Sequence, residues 1–86
     1  MIRVTPENYE QWIREHDGCR AARTEYGMTD GPVYRDQADP KVVMVQLDCQ
    51  DLERAKKWFA DDRFKAAVVR AGKVHRDVFF AQPKLG

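Results

Sequence analysis

The sequence is nearly without cysteine: Cys19 and Cys49 are the only two among 86 residues. A disulfide-built secreted scaffold needs more, so the pair is expected to stay as reduced thiols in the cytoplasm. A charge surplus is missing as well. Fifteen Lys plus Arg against fourteen Asp plus Glu leave +1, with neither sign blocked together, which is no electrostatic footprint for nucleic acid. No apolar run approaches the ~18 residues of a membrane-spanning helix. Met1-Ile2-Arg3-Val4 leads straight into a helix start, where a secretory signal would carry its apolar core. Neither nucleic acid nor membrane is therefore an expected partner. CxxC, HxxxH, GxGxxG, P-loop, GxSxG and EF-hand patterns are all absent, so no metal or cofactor is expected.

What is present belongs to a folded domain: 43% hydrophobic, 34% charged and 10% aromatic residues. That is too apolar for disorder. No repeat or low-complexity linker divides the chain, and the expectation is one domain, 1–86, with a thin core. Met1 to Val4 is a short strand. Thr5-Pro6-Glu7 has helix-start chemistry, a hydroxyl cap followed by proline and an acid. Tyr9, Trp12, Ile13 and His16 then share one helical face. Gly18 interrupts that face, so one bent helix and two short ones are both consistent with the pattern through Cys19, Ala22 and Tyr26.

Asp30-Gly31-Pro32 reads as a turn, Val33-Tyr34-Arg35 as a strand, and Ala38-Asp39-Pro40-Lys41 as the hairpin turn into a strand over 42–47. Asp51 caps the next helix, with Leu52, Ala55 and Phe59 on one face and Trp58 on its flank. Asp61-Asp62 recaps it, Phe64, Ala67, Val68 and Ala71 continue it, and Gly72 stops it. A last strand over 74–81 ends at Pro83. The order is β-α-β-β-α-β: an α+β, ferredoxin-like fold with a four-stranded antiparallel sheet and two helical segments on one face. Val42 to Val45, Phe79 and Phe80 put apolar groups on both sides of that sheet. Helices cover only one side, and each large side chain is worth roughly 1.5–3 kcal/mol to bury. A two-fold homodimer, sheet against sheet, resolves the imbalance.

The stretches Tyr34-Arg35-Asp36, Ala38-Asp39-Pro40, Leu47-Asp48, Asp51 to Phe59, Phe64-Lys65-Ala66-Ala67, Ala71-Gly72 and Val78-Phe79-Phe80 resemble the dimeric α+β barrel superfamily. Within it, the chain is similar to the small antibiotic-biosynthesis-monooxygenase-like proteins. The resemblance implies a barrel made by two sheets and a pocket between each sheet and its helices. It does not choose among monooxygenases, cyclases, isomerases and haem-degrading enzymes. The haem-degrading branch has a histidine where this chain has Val68, and valine cannot ligate iron.

Two histidines are candidate bases. His16 lies on the apolar stripe of the first helix and is either a proton acceptor at a pocket mouth or a helix-end histidine bonded to backbone. His75 shares a strand face with Asp77, which makes a catalytic dyad or a solvated strand entrance. Tyr34 supplies a phenol for an oxyanion. Trp12, Met44, Trp58 and Phe59 either clamp a flat apolar ligand or simply form core. Arg23, late in the first helix, either pairs with a carboxylate ligand or is solvated surface, and a cysteine nucleophile would need a histidine beside it in space. The first functional reading is a small cofactor-independent monooxygenase- or cyclase-like enzyme that abstracts a proton from an aromatic or polyketide-like molecule. The alternative is a non-catalytic dimeric protein that binds an apolar or aromatic small molecule.

Overall fold

The computed structural model describes residues 1–80. Its strands are β1 (Ile2–Pro6), β2 (Met28–Arg35), β3 (Val43–Cys49) and β4 (Val74–Val78). Its helices are α1 (Tyr9–Gly18), α2 (Arg20–Glu25), α3 (Leu52–Lys56) and α4 (Asp62–Arg70), with a 3-10 turn at Lys57–Ala60 between the last two. The strands form one sheet in the order β2-β3-β1-β4, and every neighbouring pair is antiparallel. This α+β arrangement is consistent with a ferredoxin-like fold.

The helix breaks follow local chemistry. α1 stops at Gly18 and α2 starts at Arg20, so the interrupted pattern makes two short helices. The Asp51 carboxylate accepts from the N–H groups of Glu53 and Arg54, and the Asp61 carboxylate from that of Arg63. Both are side-chain caps on otherwise orphaned donors. Gly72, at φ +78°, turns the chain after α4 in a conformation that only glycine takes freely. The hairpin turn also forms as expected, with Asp36 N–H bonded to the Val42 carbonyl at 2.9 Å.

Several expectations from the sequence need correction. Thr5 does not cap α1; the cap is Asn8, whose side chain accepts from Gln11 N–H. Thr5 and Pro6 instead extend β1, opposite His75 and Val74 of β4. Proline is tolerated there because pairing with β3 has already ended at Val4, so no ladder bond is lost. Asp30-Gly31-Pro32 is not a turn but the middle of β2, where the register slips between Asp30 and Val33. Gly31 suits this irregularity, since a Cβ there would stand 2.9 Å from the Gln46 carbonyl oxygen. β3 starts one residue later and ends two residues beyond its expected bounds, and β4 ends at Val78. Phe79 and Phe80, expected in this strand, lie just past its end, and the expected end at Ala81 and stop at Pro83 fall outside the described residues. Finally, Trp58 is buried at the centre of the helical layer while Phe59 is half-buried, because the 3-10 turn rotates the stripe.

The sheet does alternate. Val4, Val43 and Val45 face the helices and are essentially fully buried. They pack with Trp12 and Ala71 in one cluster, and Ala55, Trp58, Ala67 and Met28 form a second beside it. The opposite side is open: Tyr34, Met44, Arg3 and Asp77 stand in register, one per strand. Phe79 falls on this open side, with the Arg3 guanidinium 6.0 Å from its ring centre. Phe80 falls on the helix side, 6.2 Å from Phe59. The uncovered face is thus a mixture of Tyr34, Met44 and Phe79 with a charged network, rather than continuously apolar. A shortest dimension of 16 Å leaves room for only these two layers.

Candidate functional site

A small cavity opens between the helix-facing side of the sheet and the helices. Trp12 and His16 of α1, Trp58 and Phe59 of the 3-10 turn, and Phe64 of α4 contribute its aromatic walls. Its floor includes Val4, Val45, Arg76 and Val78 from three neighbouring strands. Its volume is about 60 Å³, a fifth of the ~300 Å³ at which pockets for drug-sized ligands begin. A polycyclic substrate does not fit this space.

His16 is the one histidine of the pair that reaches the cavity. Its ring lies almost flat against Trp12, with centroids 5.2 Å apart and 17° between planes. Burial, reinforced by the positive charge of Arg23, lowers its pKa to about 4, against the smaller opposing effect of Asp30. At neutral pH the imidazole is therefore uncharged. It can accept a hydrogen bond, but a base this weak is far from the match to working pH that efficient proton abstraction needs.

The other cavity charges are mostly spent on neighbours. Arg23, expected at the surface, is 3% exposed and fully engaged with Asp30: Nε donates at 2.9 Å and Nη2 at 2.7 Å. Burial would raise the Asp30 carboxyl, but the hydrogen bonds from Arg23 and Arg20 outweigh it and hold it below the usual range. Glu15 accepts from Arg70 Nε at 2.6 Å. Cys19 also lines the cavity, and burial pushes its thiol up, away from a reactive thiolate. Cys49 is exposed.

The remaining candidates lie on the other side of the sheet. His75 Nε2 is 3.3 Å from Asp77 Oδ2, so the expected dyad contact exists. It is solvent-facing, however, and Arg3 also claims the carboxylate, with Nη2 donating at 2.8 Å. The hydrogen bond from Arg3 and the charges of His75 and Arg3 hold Asp77 below the usual carboxylate range, despite a contrary effect of desolvation. Tyr34, 51% exposed, stands opposite Met44 on the same open face. The structure therefore brings together His16, Trp12, Trp58 and Phe59 at the cavity. It separates them from Tyr34, Met44, His75 and Asp77.

Arg76 is the cavity residue that sequence reasoning missed, because Lys73 to Asp77 reads as a solvated strand entrance. The signal was the alternation Val74, Arg76, Val78, which places the arginine on the apolar side. Among the described residues, no three His, Cys, Asp or Glu side chains are placed to hold a metal ion. No helix among them is long and apolar enough to cross a membrane. Compared with protein-family models, curated proteins and solved structures, the chain matches none.

Proposed function

We propose that this chain is a small-molecule-binding protein that takes a compact, partly apolar ligand into the cavity between sheet and helices, and works as a homodimer. The observation that carries the reading is the cavity itself: aromatic walls from Trp58, Phe59 and Phe64 around the single neutral imidazole of His16. Concave apolar spaces with few polar groups are where proteins hold small ligands. Binding is favoured over catalysis because the base and the oxyanion donor are not assembled. His16 is too weakly basic, and Tyr34 and the His75–Asp77 pair face away from it. The open row of Tyr34 and Met44, with Phe79 nearby, supports a second copy as the cover for the other face. So does the resemblance of the sequence to dimeric α+β barrels.

The test is titration with four-carbon probes, butanol and butanamide, followed by the indole N–H signals of Trp12 and Trp58 in NMR spectra. Saturable shifts that vanish in Val68→Phe, which narrows the cavity wall, support the reading. Probes that shift neither indole would sink it.

One observation favours the catalytic reading, a cofactor-independent monooxygenase or cyclase. His16 is a neutral proton acceptor held among aromatic side chains, and a bound anion beside it would raise its basicity. Oxygen uptake with simple hydroquinones that disappears in His16→Ala would restore that reading. Uptake unchanged by the substitution would remove His16 as its base.

A further inference from the structure

Charge accounting around the cavity leaves one group over. The Arg23 guanidinium is matched by Asp30, the Glu15 carboxylate by Arg70, and His16 is neutral. Arg76 is the exception. It projects from β4 on the helix-facing side, in register with Val4, and it is only partly exposed. Among the described residues, no carboxylate lies within ion-pair distance of it and no acceptor bonds to it. Arg76 shares the cavity lining with Val78, Phe59 and Phe64, and partial burial there works against its charge with no counter-charge to offset it. An anion supplied from outside would satisfy it.

We propose that Arg76 is the anchor of the cavity and that its ligand is a small monocarboxylate. The carboxylate bonds to the guanidinium at the sheet, and the short apolar body lies against the Trp58, Phe59 and Phe64 rings. The volume near 60 Å³ limits that body to a few carbons. This rests on the small-molecule reading above and adds the charge of the ligand. A fixed fork of N–H donors at one end and aromatic walls at the other is a pattern for short organic acids rather than for free phosphate, which has no apolar part.

The test compares butanoate with its neutral isostere butanamide on the full chain, again by the Trp12 and Trp58 indole signals. Butanoate should bind about tenfold or more tightly, the scale of one charge-assisted contact. Arg76→Gln should erase that difference while leaving the weaker binding of butanamide in place, and Arg76→Lys should retain part of it. Because the substitution removes an unmatched charge, Arg76→Gln should be at least as stable as the parent chain, so loss of folding is not expected to cloud the result. Equal affinity for acid and amide, with no change in Arg76→Gln, would overturn the carboxylate and leave the cavity reading intact. Butanoate shifts confined to Lys41, Lys73 and His75 on the surface would overturn it too. If neither probe binds, both readings fall.

Discussion

Arg23 and Asp30 close on each other through two hydrogen bonds, at 2.9 and 2.7 Å, that tie α2 to the start of β2. Both side chains are nearly out of water, at 4% and 14% exposure. A buried pair of this kind adds little compared with an apolar replacement, but breaking it strands a charge. Asp30→Ala is therefore expected to cost about 3–5 kcal/mol, a large share of the ~4–13 kcal/mol typical for a chain of this size. Urea unfolding should show a lower midpoint at unchanged slope. The double replacement Arg23→Met with Asp30→Val should recover most of the loss. A double variant no more stable than Asp30→Ala would mean that the stranded charge is not the cause.

Acid should unfold the protein in two adjoining windows. His16 is lowered from 6.5 to about 4 in the fold, so between those values the unfolded chain binds the extra proton. Its contribution to stability is complete above pH 6.5 and lost as pH falls toward 4. Arg23 and Arg20 add to the effect, while Asp30 and Asp17 oppose it. Asp30, also held low, adds a further loss below the ordinary carboxylate value near pH 4. Unfolding free energy measured across pH 4–7 should slope upward with pH, and His16→Gln should flatten that slope. An equally steep curve in the variant would place the proton elsewhere.

The parts of this fold that were readable in the sequence are those set by local chemistry. Asp51 and Asp61 are caps because a short carboxylate satisfies nearby N–H groups, and Gly72 stops a helix because it takes positive φ. The site was less readable because it depends on register. Tyr34 faces away from the cavity only because the irregularity at Gly31-Pro32 fixes the parity of β2 against β3. Arg23 looks like a surface residue until β2 brings Asp30 across to it. Arg76 looks solvated until β4 pairs with β1 and turns its even positions toward the helices.

Two glycines should respond to alanine in opposite directions. Gly72 sits at φ +78°, and a Cβ there would have its nearest neighbour atom 3.6 Å away, so the obstacle is backbone conformation rather than space. Gly72→Ala is expected to cost about 1–2 kcal/mol. Gly18 ends α1 at an ordinary φ, and a Cβ there would meet nothing within 4 Å. Gly18→Ala should stabilise by about 0.4–1 kcal/mol, by restricting the unfolded chain. Thermal melts of both variants check the signs, and a destabilised Gly18→Ala would mean that the break between α1 and α2 needs glycine.

The two faces of the sheet also make separable predictions. The proposed dimer uses the row Tyr34, Met44, Arg3 and Asp77, while the cavity lies on the reverse side of the same strands. Sedimentation at tens of micromolar should report about twice the 10.0 kDa chain mass. Met44→Lys sets a second cation beside Arg3 at the centre of that row and should return the particle to one chain. Val43 and Val45, its neighbours in β3, point the other way, so the helical layer and the cavity should survive in the variant. A wild-type chain that sediments as a monomer throughout would remove the dimer alone, because nothing lining the cavity comes from that face.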